Sequence, residues 1–182
     1  MMDAQIETHA QTSTAGDVLA AGSVATPFGE LYLATSADGV RYVRLPGAAA
    51  RHFKQWLADH AATVISDSPL LRQARTELAE YFAGSRREFS LPLDLRGTEF
   101  QCRVWHALVR VAYGTTTSYG AIARAIGEPG KSRPVGAANG ANPAAIIVPC
   151  HRIIGADGSL TGYGGGLPMK LWLLKHEGAL IA

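Results

Sequence analysis

Cysteine is scarce: the 182 residues hold two, Cys102 and Cys150. They lie far apart and form no Cys-x-x-Cys pair, which excludes a disulfide framework and gives no zinc-ligand spacing. No metal is therefore expected, and a reducing, cytoplasmic setting is. Long apolar runs are absent too. None approaches the roughly 20 residues of a membrane span, so no membrane association is expected. The first twenty residues carry Asp3, Glu7 and Asp17 but no basic stretch leading into an apolar one, which argues against a signal peptide. Small and polar, they read as a loose tail. No sign of charge dominates, since the net charge is +2. Its distribution is uneven: up to Arg96 there are nine Lys/Arg against eleven Asp/Glu, and from Gly97 on there are eight against four. A mildly basic second half favours a polyanionic partner, although basic faces are often only solvated surface.

What is present points to two units after the tail of residues 1–20, namely 21–96 and 97–182. Residues 23–45 read as strands around a Ser36–Gly39 turn, with Leu31, Leu33, Val40, Tyr42 and Leu45 as their apolar positions. Phe53, Trp56 and Leu57 lie at helical spacing within Ala50–Ala61. Ser68-Pro69 opens a second helix, with Leu71, Ala74, Leu78 and Phe82 as its stripe and Gly84 as its stop. Residues 85–97, which contain Pro92, read as an extended linker. Thr98 and Gln101 form a capping box for a helix that buries Val104, Trp105, Leu108, Val109 and Ala112. A short helix from Ser118 to Ile126, a turn at Gly127–Gly130 and another short helix from Ser132 to Asn139 have the outline of a helix-turn-helix. That second helix offers one long basic side chain, Arg133, among small residues. Such a face suits a narrow minor groove bound without sequence readout, and equally suits close helix packing inside the fold.

Ala144–Val148 is a short apolar run that reads as a buried strand ended by Pro149. Cys150-His151-Arg152 follow, then glycine-rich bends at Gly155–Gly158 and Gly162–Gly166. A free thiol with a pKa near about 8.5 needs a base or positive charge to react at neutral pH. His151 and Arg152 supply these types, and Glu177 is a candidate to orient the histidine. Side chains adjacent on an extended strand point apart, so Cys150 and His151 cooperate only if the chain turns there or a water links them. An isolated cysteine is more often inert core, and that reading is given to Cys102.

The run Ile146-Ile147-Val148-Pro149-Cys150-His151-Arg152-Ile153-Ile154-Gly155 resembles the acceptor motif of the O6-alkylguanine-DNA alkyltransferases, or methylated-DNA–protein-cysteine methyltransferases. So do Gly97–Gln101 with Val104-Trp105, Tyr113-Gly114 with Ser118-Tyr119, Val135–Gly140 with Asn142-Pro143, and Leu160–Tyr163. The resemblance is dense over residues 97–178. It implies an α+β protein, with an N-terminal ribonuclease-H-like α/β domain holding a short antiparallel sheet and a C-terminal helical domain with a helix-turn-helix. It implies single-turnover transfer of an alkyl group from O6-alkylguanine, and from O4-alkylthymine, in double-stranded DNA to Cys150. His151 would act as base through a water, Glu177 would orient it, and Asn142 would join that network. Tyr119 would donate to the guanine ring as charge develops. The substrate would also meet Ile153, Tyr163, Gly164 and Ala145, with the carbonyls of Cys150 and Ile153 accepting from the exocyclic amine. Arg133, with Ser132, Ala138, Asn139 and Gly140, would bind the minor groove while Arg133 fills the gap left by the flipped nucleotide. No cofactor, no obligate protein partner and a monomer are implied.

Three departures stand out. Gly164 replaces a serine of some relatives and keeps the backbone donor. Ala145 replaces a proline that packs on bulky adducts. Pro134 follows Arg133 and disfavours helical geometry there, which would make Arg133 the N-cap residue. Other readings fit less well. A transcription factor would want base-reading side chains, a non-repairing damage binder would lack Cys150, a fused regulator would carry an N-terminal zinc domain, and a cysteine hydrolase would leave Arg133 idle.

Overall fold

A computed structural model describes residues 6–10, 17–46 and 49–180. The chain divides into two compact units between Gly97 and Thr98.

The first unit is built on strands β1 (Ile6–Ala10), β2 (Val18–Thr26), β3 (Gly29–Thr35), β4 (Val40–Arg44), β5 (Thr63–Ile65) and β6 (Leu93–Gly97). They form one sheet in the order β1-β6-β4-β3-β2-β5. Its middle, β2-β3-β4, is antiparallel, whereas β1 and β4 pair with β6, and β5 with β2, in parallel. The expected short antiparallel sheet is therefore a mixed six-stranded one. The expected linker supplies an inner strand, β6. Pro92 does not prevent this, because it stands just before the strand and its carbonyl accepts from the Val40 N–H. Leu93, Asp94 and Leu95 are buried in succession, as in a strand covered on both faces. The expected tail also shortens: Ile6–Ala10 pairs with β6, and β2 begins at Val18 with Leu19 and Ala20 buried. Residues 1–5 and 11–16 of that tail lie outside the described residues.

Helices cover the two faces of this sheet. On one, helix α1 (Ala49–His60) sets Phe53 and Trp56 against Tyr32 and Tyr42, with Trp56 stacked 4.3 Å from Tyr42. On the other, helix α2 (Pro69–Phe82), capped by the Ser68 hydroxyl, buries Leu71, Ala74, Leu78 and Tyr81. It approaches β2 at Gly22, where a Cβ would meet Leu71 at 3.4 Å. The β3–β4 turn presses on β6 so closely that a Cβ at Gly39 would lie 2.6 Å from the Asp94 nitrogen, so only glycine fits there.

Asp94 is fully buried and satisfied by charge. It accepts from Arg41 at 3.1 Å, Ser36 at 2.8 Å and Arg96 at 3.3 Å, and Asp17 accepts from the same two arginines. Burial acts to raise its pKa, but the hydrogen bonds from Arg96 and Ser36 and the charges of both arginines win and hold it low. Removing one member of such a pair leaves an uncompensated buried charge on the other. Asp94→Ala should therefore cost about 3 kcal/mol in urea unfolding at pH 7. Since the folded pKa is depressed, that stabilisation is present above the unfolded value of about 3.9 and is lost as the pH falls through the folded one. The gap between parent and variant should shrink below about pH 4.

The second unit packs helices α3 (Glu99–Val109), α4 (Tyr119–Ala125), α5 (Ser132–Gly140) and α6 (Leu167–His176) around Trp105, Leu108, Ile122, Val135 and Leu173. Thr98 and Gln101 form a reciprocal capping box on α3, and Ser118 caps α4. The Trp105 indole donates to the carbonyl of Ala138 at 2.9 Å, which pins α5 to α3. A two-residue parallel ladder joins β7 (Thr117–Ser118) to β8 (Ile153–Ile154). No helix among the described residues is long and apolar enough to cross a membrane.

Candidate active site

The segment leading to Cys150 is a buried turn and not the strand its apolar run suggests. Val148 donates its N–H back to Ala144 at 2.8 Å, and Ile146 takes a φ of +77° with its side chain fully buried. A β-branched residue with positive φ is a true outlier and costs on the order of 1–3 kcal/mol. Asn142 brackets the turn: its Nδ2 donates to the Val148 carbonyl at 2.9 Å, and its Oδ1 accepts from the Ala144 N–H at 3.0 Å. Cys150–Arg152 then form one turn of 3₁₀ helix. The chain thus turns at the thiol, which an extended strand would not do.

The site is buried and its charges are ordered. His151 is fully buried, and its Nε2 lies 2.8 Å from Glu177 Oε1. Arg152 donates its Nε to Glu177 Oε2 at 2.8 Å and its Nη2 to Oε1 at 3.0 Å, and the Gly114 N–H reaches Oε2 at 3.3 Å. Burial acts to raise the pKa of Glu177, but the hydrogen bonds and charges of His151 and Arg152 hold it well below the usual carboxylate range. An ionised carboxylate only accepts, so the His151 proton sits on Nε2. The lone pair is then on Nδ1, which has no partner among the described residues. Burial pushes the imidazole pKa down against the pull of Glu177, which keeps the ring neutral. Burial pushes the Cys150 thiol up, opposed by a hydrogen bond from Asn142 and the charge of Lys170. The resting group is a thiol beside a neutral base.

The other expected residues fall as follows. Ile153 is fully buried, and its carbonyl accepts from Lys170 Nζ. The Tyr119 hydroxyl lies 2.7 Å from Thr161 Oγ1. Tyr163 is half-buried with its ring edge-on to His151, centroids 6.5 Å apart. Gly164 is exposed and Ala145 buried. On α5, Arg133 and Gly140 are exposed and Ser132 is half-buried, whereas Ala138 and Asn139 are buried. Ala138 therefore belongs to the packing under Trp105 and not to the outer face, where Pro134 and Ala137 stand. Arg133 is not the N-cap residue: Lys131 is, and Arg133 and Pro134 lie inside the first turn. Proline is tolerated there because the N–H groups of a first turn have no intrahelical partner to lose. Cys102 is buried on α3, away from these groups in sequence and on a separate element. No cluster of three or more His, Cys, Asp or Glu among the described residues could hold a metal ion.

Comparison with known proteins gives the family. Residues 99–179 match the profile described as 6-O-methylguanine DNA methyltransferase, DNA binding domain, and residues 19–95 match the ribonuclease-like domain of the same family. A methylated-DNA–protein-cysteine methyltransferase of Methanosarcina acetivorans is 44% identical over 85% of this chain and 95% of its own. One from Mycolicibacterium paratuberculosis is 62% identical over 56% of this chain, a stretch that spans 61% of that relative's length. The crystal structure of Mycobacterium tuberculosis OGT in complex with DNA is 45% identical, covers 88% of this chain and 92% of that one, and superposes with a TM-score of 0.76. The chain is a member of the 6-O-methylguanine-DNA methyltransferase family.

The site holds one further group, which the sequence does not mark by any motif. Lys170 is fully buried, donates to the carbonyls of Ile153 and Thr161, and acts electrostatically on Cys150. Its sequence signal was a lysine three and four residues before the buried Leu173 and Leu174, on the apolar face of its helix. Lys170→Met keeps the length and removes the charge. Its Cys150 should titrate at higher pH than the parent's, as read from the pH dependence of iodoacetamide labelling mapped to that peptide. An unchanged profile would show that the lysine does not act on the thiol.

Proposed function

We propose that this methyltransferase repairs DNA by direct reversal, taking the alkyl group from O6 of guanine, and from O4 of thymine, onto Cys150. The observation that carries the reading is the buried His151. Glu177 ties up its Nε2 proton and leaves Nδ1 as a free base one residue from a buried thiol. In the reaction, Nδ1 takes the thiol proton through a water. The sulfur attacks the alkyl carbon, so the C–S bond forms as the C–O6 bond breaks. The guanine leaves as its anion and takes up one proton, and no cofactor is consumed. The thioether does not turn over, so each molecule acts once. The Tyr119 hydroxyl, accepting from Thr161, donates to the guanine ring, where preorganised donors stabilise developing charge. Gly164 offers its N–H to O6, Tyr163 and Ala145 flank the alkyl group, and the carbonyls of Cys150 and Ile153 receive the exocyclic amine.

Helices α4 and α5 act as a helix-turn-helix on the minor groove. The small exposed face of Pro134, Ala137 and Gly140 lets the backbone approach, Ser132 contributes beside it, and Arg133 occupies the space of the flipped nucleotide. The solved DNA complex of the Mycobacterium tuberculosis relative supports DNA as the partner. The protein works as a monomer in the cytoplasm.

Incubation with a duplex containing O6-methylguanine should add one methyl group. Peptide mapping should place it on Cys150 and none on Cys102, and methyl uptake by Cys150→Ala would overturn the assignment. The pH profile gives a second test. Because burial lowers the His151 pKa, neutral base persists below the ordinary imidazole value of about 6.5. Transfer should hold its rate through that pH and decline only at lower pH. A midpoint at or above 6.5 would mean that the base is not this buried histidine.

A further inference from the structure

Asn139 is polar, 7% exposed, and its Oδ1 has no hydrogen-bond partner among the described residues. A buried amide left unpaired destabilises a fold, and an apolar side chain of similar size would not. Its backbone already does the structural work. The Asn139 carbonyl accepts from the N–H groups of Ala141 and Asn142 at the end of α5. The side-chain Oδ1 is thus left without a partner among the described residues.

Its position indicates the missing partner. Gly136, Asn139 and Asn142 follow one another at intervals of three along the same side of α5 and its end. Gly136 lies under Tyr119, where a Cβ would come 3.6 Å from the ring. Asn142 reaches the Cys150 thiol and braces its turn. Along α5 and its end, Asn139 comes between Gly136, which lies under Tyr119, and Asn142, which braces the Cys150 turn. A terminal amide offers an acceptor or, after a half-turn about χ2, a donor, so it can serve either kind of atom on a base edge.

We infer that Asn139 is a substrate-reading residue, whose amide hydrogen-bonds the extrahelical guanine as it enters the site. This rests on the proposed acceptor reaction. When the base binds, the sealed amide gains its partner, so the contact favours the bound base over the empty site. A base without a suitable polar edge leaves the amide unpaired and is rejected, which is how a buried polar group discriminates.

Asn139→Met, unbranched and apolar, tests this. Single-turnover transfer is measured on a duplex containing O6-methylguanine and on the free base O6-benzylguanine, alongside Tm and the Kd for undamaged duplex. The expected result is a loss of about tenfold or more on both substrates, the scale of one lost hydrogen bond to a base, with Tm and Kd no worse than the parent's. Unchanged rates on both substrates would overturn the inference. So would a loss confined to the duplex and matched by weaker Kd, which would make Asn139 a groove contact. Should Asn139→Met lower Tm, Asn139→Ala is read in the same way. A parent protein that gains no methyl on Cys150 defeats the acceptor reaction itself. A parent that is methylated no faster than the variant defeats only the role of Asn139.

Discussion

The Glu177 carboxylate, at the end of α6 and out of water, accepts at least four hydrogen bonds: one from His151, two from Arg152 and one from the Gly114 backbone. Removing a carboxylate from water costs several kcal/mol unless its lone pairs are met. The 3₁₀ turn, the loop after α3 and the last helix must therefore be in register before the carboxylate is tolerated. Arg152 extends the tie through the Val111 carbonyl at 2.6 Å. Gly114 is part of the same fit: at φ +73° a Cβ there would lie 2.9 Å from the Glu177 carbonyl. One buried charge thus fixes the tautomer of the histidine and the position of the residue beside the thiol.

A second constraint runs from α5. Asn142 closes both ends of the Ala144–Val148 turn with its single amide, and this holds Ile146 in a conformation it would leave if free. Strain of this kind persists only where the surroundings over-determine it. Here they do, since all five residues of the turn are nearly or fully buried. The thiol follows a turn braced by Asn142 and feels the charge of Lys170, while burial pushes its pKa up. Burial thus favours the protonated thiol, next in sequence to a histidine whose Nδ1 is unpartnered among the described residues.

Capping signals were local and so were legible. Ser68-Pro69, the Thr98–Gln101 box and Ser118 each act within one turn of their own helix, and each opens a helix in the structure. Non-local pairing was not legible in the same way. Leu93–Gly97 looked like a linker because Pro92 and the charges around it break any period. It becomes an inner strand because β1 and β4 lie on either side to pair with it. The run Ala144–Val148 has the composition of a strand, but it lies too close to the end of α5 to find a strand partner and closes on itself as a turn. Lys170 was passed over because a lysine in a helix is usually solvated, and only packing shows that its ammonium ends on two backbone carbonyls.

By itself the sequence determined the family and the residue types available to the site. Pro149-Cys150-His151-Arg152, Asn142, Tyr119 and Glu177 lie in runs dense enough to identify the family. Tertiary structure alone decided their states: which imidazole nitrogen is free, that burial pushes the thiol pKa up, that Arg133 sits inside the first turn of α5 and not at its cap, and that Ala138 is buried with its carbonyl taken by Trp105. Those outcomes depend on burial and on hydrogen bonds between residues up to 63 positions apart. In a low-dielectric interior such contacts set proton positions and orientations that no local pattern encodes.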